Sequence, residues 1–366
     1  MTQQRVPAVY MRGGTSRCLV FHERDLPPSG AARDRILLAA LGSPDPYGRQ
    51  LDGLGGGISS LSKAVIIGPT SHPEADVDYT FAQVLVAKAE VDYSGNCGNC
   101  SSAVGPFAID ERIVAAVDGE TVVRIHNTNT KKLIVAHVPV TGGEAAVAGD
   151  FDLPGVAGRG ARIALDFVEP GGAGTGRLLP TGRATDTIDG LTCSLVDATN
   201  PVAFFRAADL GIAGTETPQA LDGDRALCER LERLRVAASH AMGIPGSAAV
   251  PKLALVTAPT EFTALDGSRH AAGAADVVGR AISMGNCHRA FPLTVAMCLA
   301  VAARIPGTVV RQCSTAADGA DIRLGHPSGV LPIDARVAQR AGEPWAERVT
   351  TYRTARRLME GFVRVP

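Results

Sequence analysis

Aromatic side chains are scarce in this sequence. Phe, Tyr and Trp make up 4% of the 366 residues, and Trp345 is the lone tryptophan, which argues against a platform on which bases or sugars stack. No basic block is longer than the pair Lys131 and Lys132, and the net charge is -1. Nothing steers such a chain toward nucleic acid or an anionic membrane surface. Long apolar runs are missing as well: no stretch reaches the roughly 18 to 20 apolar residues that span a bilayer. The start MTQQRVPAVYMRGG is not the charged-then-apolar pattern of a secretory signal. Eight cysteines (Cys18, Cys97, Cys100, Cys193, Cys228, Cys287, Cys298 and Cys313) are scattered without a dense framework. Reduced thiols and a cytoplasmic location are the expectation.

What is present is a folded, duplicated chain. Hydrophobic content of 45% with 20% charged residues describes a globular protein, and the length suggests two domains rather than one core. TSRCLVFHERDLP, from Thr15, lies over TNPVAFFRAADLG, from Thr199. SKAVIIGPT lies over PKLALVTAPT with Lys63 over Lys252, and GNC at Gly95 recurs at Gly285. Three matches in one order at nearly one offset mark an internal repeat. Two halves are expected, residues 1–185 and 186–366, with the final residues able to pack back on the first half. The glycine-rich EPGGAGTGRLLPTGRA, Glu169 to Ala184, reads as the loop before the boundary.

Short β-branched runs dominate both halves: AVIIG, DYTFAQVLVAKAEVDY, TVVRIHNTNTKKLIVAHVPV, PKLALVTAP and GTVVRQC. Alternation bounded by Gly, Pro or Asn predicts strands. Helical spacing is confined to Arg33–Gly42, SSAVGPFAIDERIVAA, Cys228–Gly243 and Arg289–Gly307. SSAVGPFAIDERIVAA is read as apolar nearly all round, as a buried central helix must be. The expected fold class is α+β, each half a sheet wrapped around one buried helix, with a ligand cleft between the halves.

SGNCGNCSSAVG, from Ser94 to Gly105, places two thiols, Cys97 and Cys100, almost side by side in sequence. A zinc knuckle needs a second pair of soft ligands, and no second Cys-x2-Cys exists; a redox pair would follow the first strand of a βαβ unit. Turn residues followed by small ones instead put Cys97 at the start of a buried helix. Unpaired N–H groups there lower a thiol pKa and hold a carboxylate. Cys100, Cys193, Cys228, Cys298 and Cys313 read as buried small hydrophobes. The triplet Gly55–Gly57 has neither a phosphate-loop nor a dinucleotide spacing.

Across nearly the whole chain, MRGGTSR, GGGISSLSKAVIIGP, ADVDYTFAQV, VDYSGNCGN with VGPFAID, RIHNTNTKKLI, HRAFPLT with ARIPGT, and LGHPSG resemble the PrpF-type isomerases. That family includes methylaconitate cis-trans isomerase, methylitaconate Δ-isomerase and oxalomesaconate tautomerase. The resemblance implies a diaminopimelate epimerase-like fold of two pseudosymmetric halves, each a barrel-like sheet around a central helix. It implies a homodimer, no cofactor, no metal and a small unsaturated polycarboxylate substrate. Lys63 and Cys97 then fall on the family's candidate proton-transfer residues. Arg17 replaces the lysine of the family's MRGGTSK, and Cys100 and Cys287 stand where cysteine is unusual.

Moving a double bond in such an acid removes a proton beside the alkene, delocalises the carbanion into a carboxylate or keto group, and returns a proton at the far end. The site therefore needs a base near neutral pH and donors aimed at the enolate. Lys63 is the candidate base, provided burial and neighbouring cations lower its pKa. Arg12, Thr15 and Ser16, with the N–H groups of Gly13 and Gly14, are candidates for a carboxylate cradle. Ser62, Asn96, Gly98, Asn99, Lys252, Ser283, His288, His326 and Ser328 complete the candidate binding residues, His288 as the opening residue of the second central helix. Two rival readings remain open on the sequence: a racemase or epimerase with Cys97 and Cys287 on opposite faces of a stereocentre, and a non-catalytic carboxylate-binding accessory protein for a dehydratase.

Overall fold

The computed structural model describes residues 3–246, 250–283 and 285–366. Two compact units emerge: Met1–Leu165 with Tyr352–Pro366, and Asp166–Thr351. The break between Leu165 and Asp166 falls earlier in the chain than the 185/186 position expected from the repeat. The C-terminal strand Ala355–Val365 belongs to the first unit, where it pairs antiparallel along the whole of Gln4–Gly13.

In the first unit, β1 (Gln4–Gly13) pairs antiparallel with β2 (Ser16–His22), and β2 runs parallel to β3 (Lys63–Pro69). β3 pairs antiparallel with β4 (Val77–Val84), which meets the short antiparallel β5 (Val91–Asp92) and the parallel β6 (Gly119–Asn127). β6 returns as β7 (Lys132–Thr141). Helix α1 (Ala31–Leu41) lies in the β2–β3 crossover and α2 (Gly98–Asp110) in the β5–β6 crossover.

Alternation sorts these strands by face. Ala64 and Ile66 of β3 pack with Ile36, Leu37, Ala40 and Leu41 of α1. Lys63 and Val65 therefore face the other way, toward α2. Apolar nearly all round, α2 is buried along its length, from Cys100 to Ile109 without a break. It seats very close to the sheet at Gly105, where a Cβ would stand 2.7 Å from Val138 Cγ2 and 3.2 Å from Ala136 Cβ.

The second unit repeats the pairing sequence strand for strand. Leu191–Asp197 pairs antiparallel with Pro201–Arg206, which runs parallel to Lys252–Thr257. The latter is antiparallel to Val277–Ser283, which meets Asn286–Cys287 antiparallel and Ile322–His326 parallel before the return in Gly329–Arg340. Helices Arg225–Ala241 and Leu293–Arg304 occupy the two crossovers. Even the 3-10 turns recur, Glu23–Asp25 after β2 and Ala208–Leu210 after Pro201–Arg206. Lys63 and Lys252 each open the strand parallel to the preceding one.

Two local expectations change. GTVVRQC contributes a helix, Val309–Cys313, because Thr308 Oγ1 caps it by accepting from Arg311 N at 3.1 Å. His288 does not open the second central helix, which begins at Leu293 after Pro292; His288 N donates to Ala281 O across the sheet. Proline suits the entry to a helix, having no N–H to leave unpaired. The second GNC likewise ends in a strand, Asn286–Cys287, the counterpart of β5. The N-cap of the second central helix is thus Pro292, whereas that of α2 is Cys97.

RIHNTNTKKLI acts as a brace. Asn129 accepts from Phe81 N at 2.8 Å and donates to Phe81 O at 2.9 Å and Tyr93 O at 2.7 Å. Asn129→Ala leaves three backbone groups unpaired, each loss about 1 to 3 kcal/mol. Stability in equilibrium urea denaturation should drop by at least about 3 kcal/mol, and a change below ~0.5 kcal/mol would show that the brace does not hold the β4–β5 junction.

Candidate active site

The first unit gathers most of the residues singled out in the sequence around the N-terminus of α2. Cys97 is its N-cap, with extended backbone (φ -110°, ψ 98°), and Cys100 N donates to its Sγ at 3.4 Å. Its carbonyl accepts from Ser101 N at 2.9 Å, Ser101 Oγ at 3.1 Å and Tyr79 OH at 3.4 Å. Gly98 and Asn99 are the first two helical residues, and among the described residues their N–H groups have no acceptor. Asn96 Oδ1 accepts from Ser101 Oγ at 3.4 Å and from the buried Asn127 Nδ2 at 3.3 Å, which anchors the turn leading into the helix.

Lys63 is 8% exposed. Its Nζ donates to Gln83 Oε1 at 2.6 Å and lies 4.9 Å from the Phe81 ring centroid. Gln83 is its cross-strand partner, and the amide is oriented by donation from Nε2 to Ser62 O at 2.9 Å and Ser59 O at 3.1 Å. Ser62 supports that loop rather than offering a hydroxyl to a ligand: its Oγ donates to Val84 O at 2.9 Å and accepts from Gln50 Nε2 at 2.7 Å. No carboxylate among the described residues pairs with Lys63.

The thiol departs from expectation. The helix N-terminus suggested a lowered pKa for Cys97; it is pushed well up, first by hydrogen bonding with the Cys100 thiol and then by burial, against the opposing pull of the Lys63 charge and the Cys100 N–H. These influences favour the thiol over the thiolate at Cys97. Cys100 is itself raised, by burial and then by Cys18.

The MRGG turn works otherwise than as a simple cradle. Gly14 N donates to Thr354 O at 2.9 Å, so it is not available to a ligand. Arg12 Nη1 donates to Gly14 O at 3.0 Å and Thr354 O at 2.9 Å, and Arg12 sits on the opposite face of β1 from Gly13. Its role is to brace the turn. Both glycines are needed for clearance: a Cβ on Gly13 would stand 2.6 Å from Asn99 O, and one on Gly14, whose φ is +52°, 2.3 Å from Asn99 Oδ1. Through that gap Asn99 Nδ2 donates to Thr15 Oγ1 at 3.1 Å, and Asn99 Oδ1 accepts from Arg353 Nε at 3.0 Å. Ser16 is buried in register with Gly13. Arg353 lies at the far end of the chain from Asn99 and gives no sign of this role in the sequence, because TYRTARR looks like an ordinary basic strand.

The remaining candidates lie in the second unit. Lys252 Nζ donates to Ser283 Oγ at 2.6 Å, the repeat's version of Lys63 with Gln83. His326 is buried and its Nδ1 accepts from Ser328 N at 3.2 Å, while Ser328 Oγ donates to Arg289 O at 2.7 Å, next to His288. Cys287 belongs to the apolar core of that unit with Leu221, Leu231 and Leu253; its thiol, pushed up by burial to about 12, donates to His288 O at 3.7 Å. Among the described residues no three His, Cys, Asp or Glu side chains gather as ligands of a metal ion would. Among them, too, no helix is long and apolar enough to cross a membrane.

The family model of the PrpF protein matches residues 3–366. The chain belongs to the PrpF family. It is 43% identical to 3-methylitaconate isomerase of Eubacterium barkeri, over 99% of this chain and 98% of the relative. It is 39% identical to 2-methyl-aconitate isomerase of Shewanella oneidensis (100% and 98%) and 38% to 4-oxalomesaconate tautomerase of Pseudomonas putida (99% and 97%). A crystal structure of methylitaconate-delta-isomerase superposes with a TM-score of 0.87 at 42% identity, covering 100% of this chain and 96% of that one. A hydroxyproline epimerase from Agrobacterium vitis, at 13% identity and a TM-score of 0.55 (98% and 92%), shares the fold alone. This PrpF-family chain is therefore an isomerase with the α+β, epimerase-like fold.

Two outcomes follow for this PrpF isomerase. Gly14→Ala combines a left-handed φ with a steric overlap on Asn99; stability should fall by about 1 to 3 kcal/mol, with a lowered melting temperature, and an unchanged melt would show that the gap is not needed. Because Cys100 is the leading cause of the raised Cys97 thiol, Cys97 should react with iodoacetamide more slowly than free cysteine at mildly alkaline pH, gain rate only as pH rises further, and react faster in Cys100→Ala. Mass spectrometry of the labelled peptide checks the site, and an equal or slower rate in Cys100→Ala contradicts the cause assigned.

Proposed function

We propose that this chain moves a double bond, or interchanges cis and trans geometry, in a small unsaturated di- or tricarboxylate such as methylaconitate, methylitaconate or oxalomesaconate, without a redox cofactor. The observation that carries the reading is the meeting of a buried lysine and a protonated thiol on one side of one sheet: Lys63 at the head of β3, and Cys97 at the N-cap of α2, its thiol subject to the Lys63 charge. The activities named for the relatives that this chain matches along nearly their whole length support the substrate class.

In this mechanism the Lys63 amine takes the allylic proton, and the electron pair of the broken C–H bond enters the alkene and its carboxylate as a dienolate. Cys97 Sγ–H delivers a proton to the far carbon as the double bond re-forms one position along. The lysine is left as ammonium and the cysteine as thiolate; return of one proton from Nζ to Sγ, directly or through solvent, resets the site. Cys100 N–H and the Lys63 charge face the thiolate when it appears, and the Gly98 and Asn99 N–H groups are placed to hold a carboxylate. Cys287, packed in the core of the second unit with Pro292 at the N-cap position equivalent to Cys97, supplies no matching acid, which disfavours the two-thiol racemase.

A panel of these acids in D2O, followed by NMR, tests the reading: one should show deuterium exchange with isomer formation. Lys63→Ala should lose at least ~100-fold in kcat, the scale of a general base. Cys97→Ser should also be crippled, because a hydroxyl is far too weak an acid to replace the thiol. Retention of more than about a tenth of wild-type kcat by either variant would overturn its role, and no exchange with any acid would overturn the reaction class.

A further inference from the structure

The mechanism makes no use of the buried Arg353. Arg353 is 4% exposed, yet no carboxylate among the described residues pairs with it. Burying a cation without a counter-ion is costly, and burial indeed draws this guanidinium down to about 10. Its nitrogens are unequally used: Nε donates to Asn99 Oδ1 at 3.0 Å, Nη1 donates to Tyr352 O at 2.8 Å, and Nη2 has no acceptor among the described residues.

The groups around it are arranged to keep it there. Gly14 makes room, since a Cβ would stand 3.0 Å from Arg353 Cδ. The next residue, Thr354, is pinned by Gly14 N and Arg12 Nη1 on its carbonyl. Asn99 ties the guanidinium to the first turn of the long helix α2, whose leading N–H groups, Gly98 and Asn99, also lack acceptors among the described residues. Through Asn99 the guanidinium is tied to the same helix end as the two open backbone donors, a donor set suited to one planar anion.

We propose that Arg353 binds a substrate carboxylate at the first turn of α2, donating from Nη2 together with the Gly98 and Asn99 N–H groups, and so selects acids that carry a second carboxylate beyond the one conjugated with the reacting centre. The proposal rests on the carboxylate-isomerase reading and deepens it by naming the residue that recognises the substrate class. Arginine is required because the fork must hold Asn99 and the carboxylate at once, which the single ammonium of lysine cannot match.

Calorimetric binding of methylsuccinate, a saturated diacid that cannot be isomerised, and of its monomethyl esters separates this from catalysis. The wild-type enzyme should prefer the diacid to the esters. Arg353→Met should bind the diacid about 10- to 100-fold more weakly, the range for a charge-assisted hydrogen bond, and lose the preference. Arg353→Lys, which keeps the charge and whose fold is checked by its melting temperature, should fall between the two and decides the matter if the methionine variant does not fold. Diacid affinity equal to wild type in the folded lysine or methionine variant overturns the proposal, as does absence of diacid binding by the wild type. Normal diacid binding that depends on Arg353, but no isomerisation of any unsaturated acid, upholds Arg353 while refuting the reaction assigned.

Discussion

A helix buried on every side carries its unpaired ends into the interior. Among the described residues the first two N–H groups of α2 have no acceptor, and the chain meets only part of the demand, with the Cys97 thiol as cap. Everything else in the first unit is consistent with that constraint. Two glycines clear the approach, a threonine and an asparagine fix the first turn, and a lysine and an arginine bring positive charge to an end already positive in character. Such a concentration of donors and positive charge is the basis for proposing that an anion is received there.

Much of this is legible in the sequence, for identifiable reasons. The repeat survives because Lys63 and Lys252 open equivalent strands, and edge-of-turn lysines leave a mark at a fixed offset. Cys97 can be placed because Gly-Asn on both sides leaves little but a turn before a helix. The second GNC misleads: glycine and asparagine mark turns of several kinds, and there the turn closes a two-residue strand while Pro292 takes over the helix entry. The ionisation of Cys97 is hidden for a different reason, since the helix end is visible in the sequence but the contact with the Cys100 thiol is not. Arg353 and Gln83 cannot be found there at all, because their meaning lies in strand register and in a C-terminal strand returning to the first.

Comparison of the two units separates scaffold from chemistry. The same pairings recur, so the order of parallel and antiparallel strands belongs to the framework. The lysine recurs with a changed partner, an amide in one unit and a hydroxyl in the other. The thiol at the helix entry does not recur. A duplicated fold with only one acidic cap fits a reaction whose two proton positions are unlike, whereas inversion at one carbon asks for two like groups.

The close seat of α2 at Gly105 bears on rates as well as on packing. A helix held within van der Waals contact of Val138 and Ala136 has no room to slide or tilt toward the sheet. In the proposed reaction its N-terminal dipoles are already aimed when negative charge appears on a substrate. In water, solvent must turn to meet such a charge, and that rearrangement is a large part of the barrier. Here the rearrangement was completed when the chain folded.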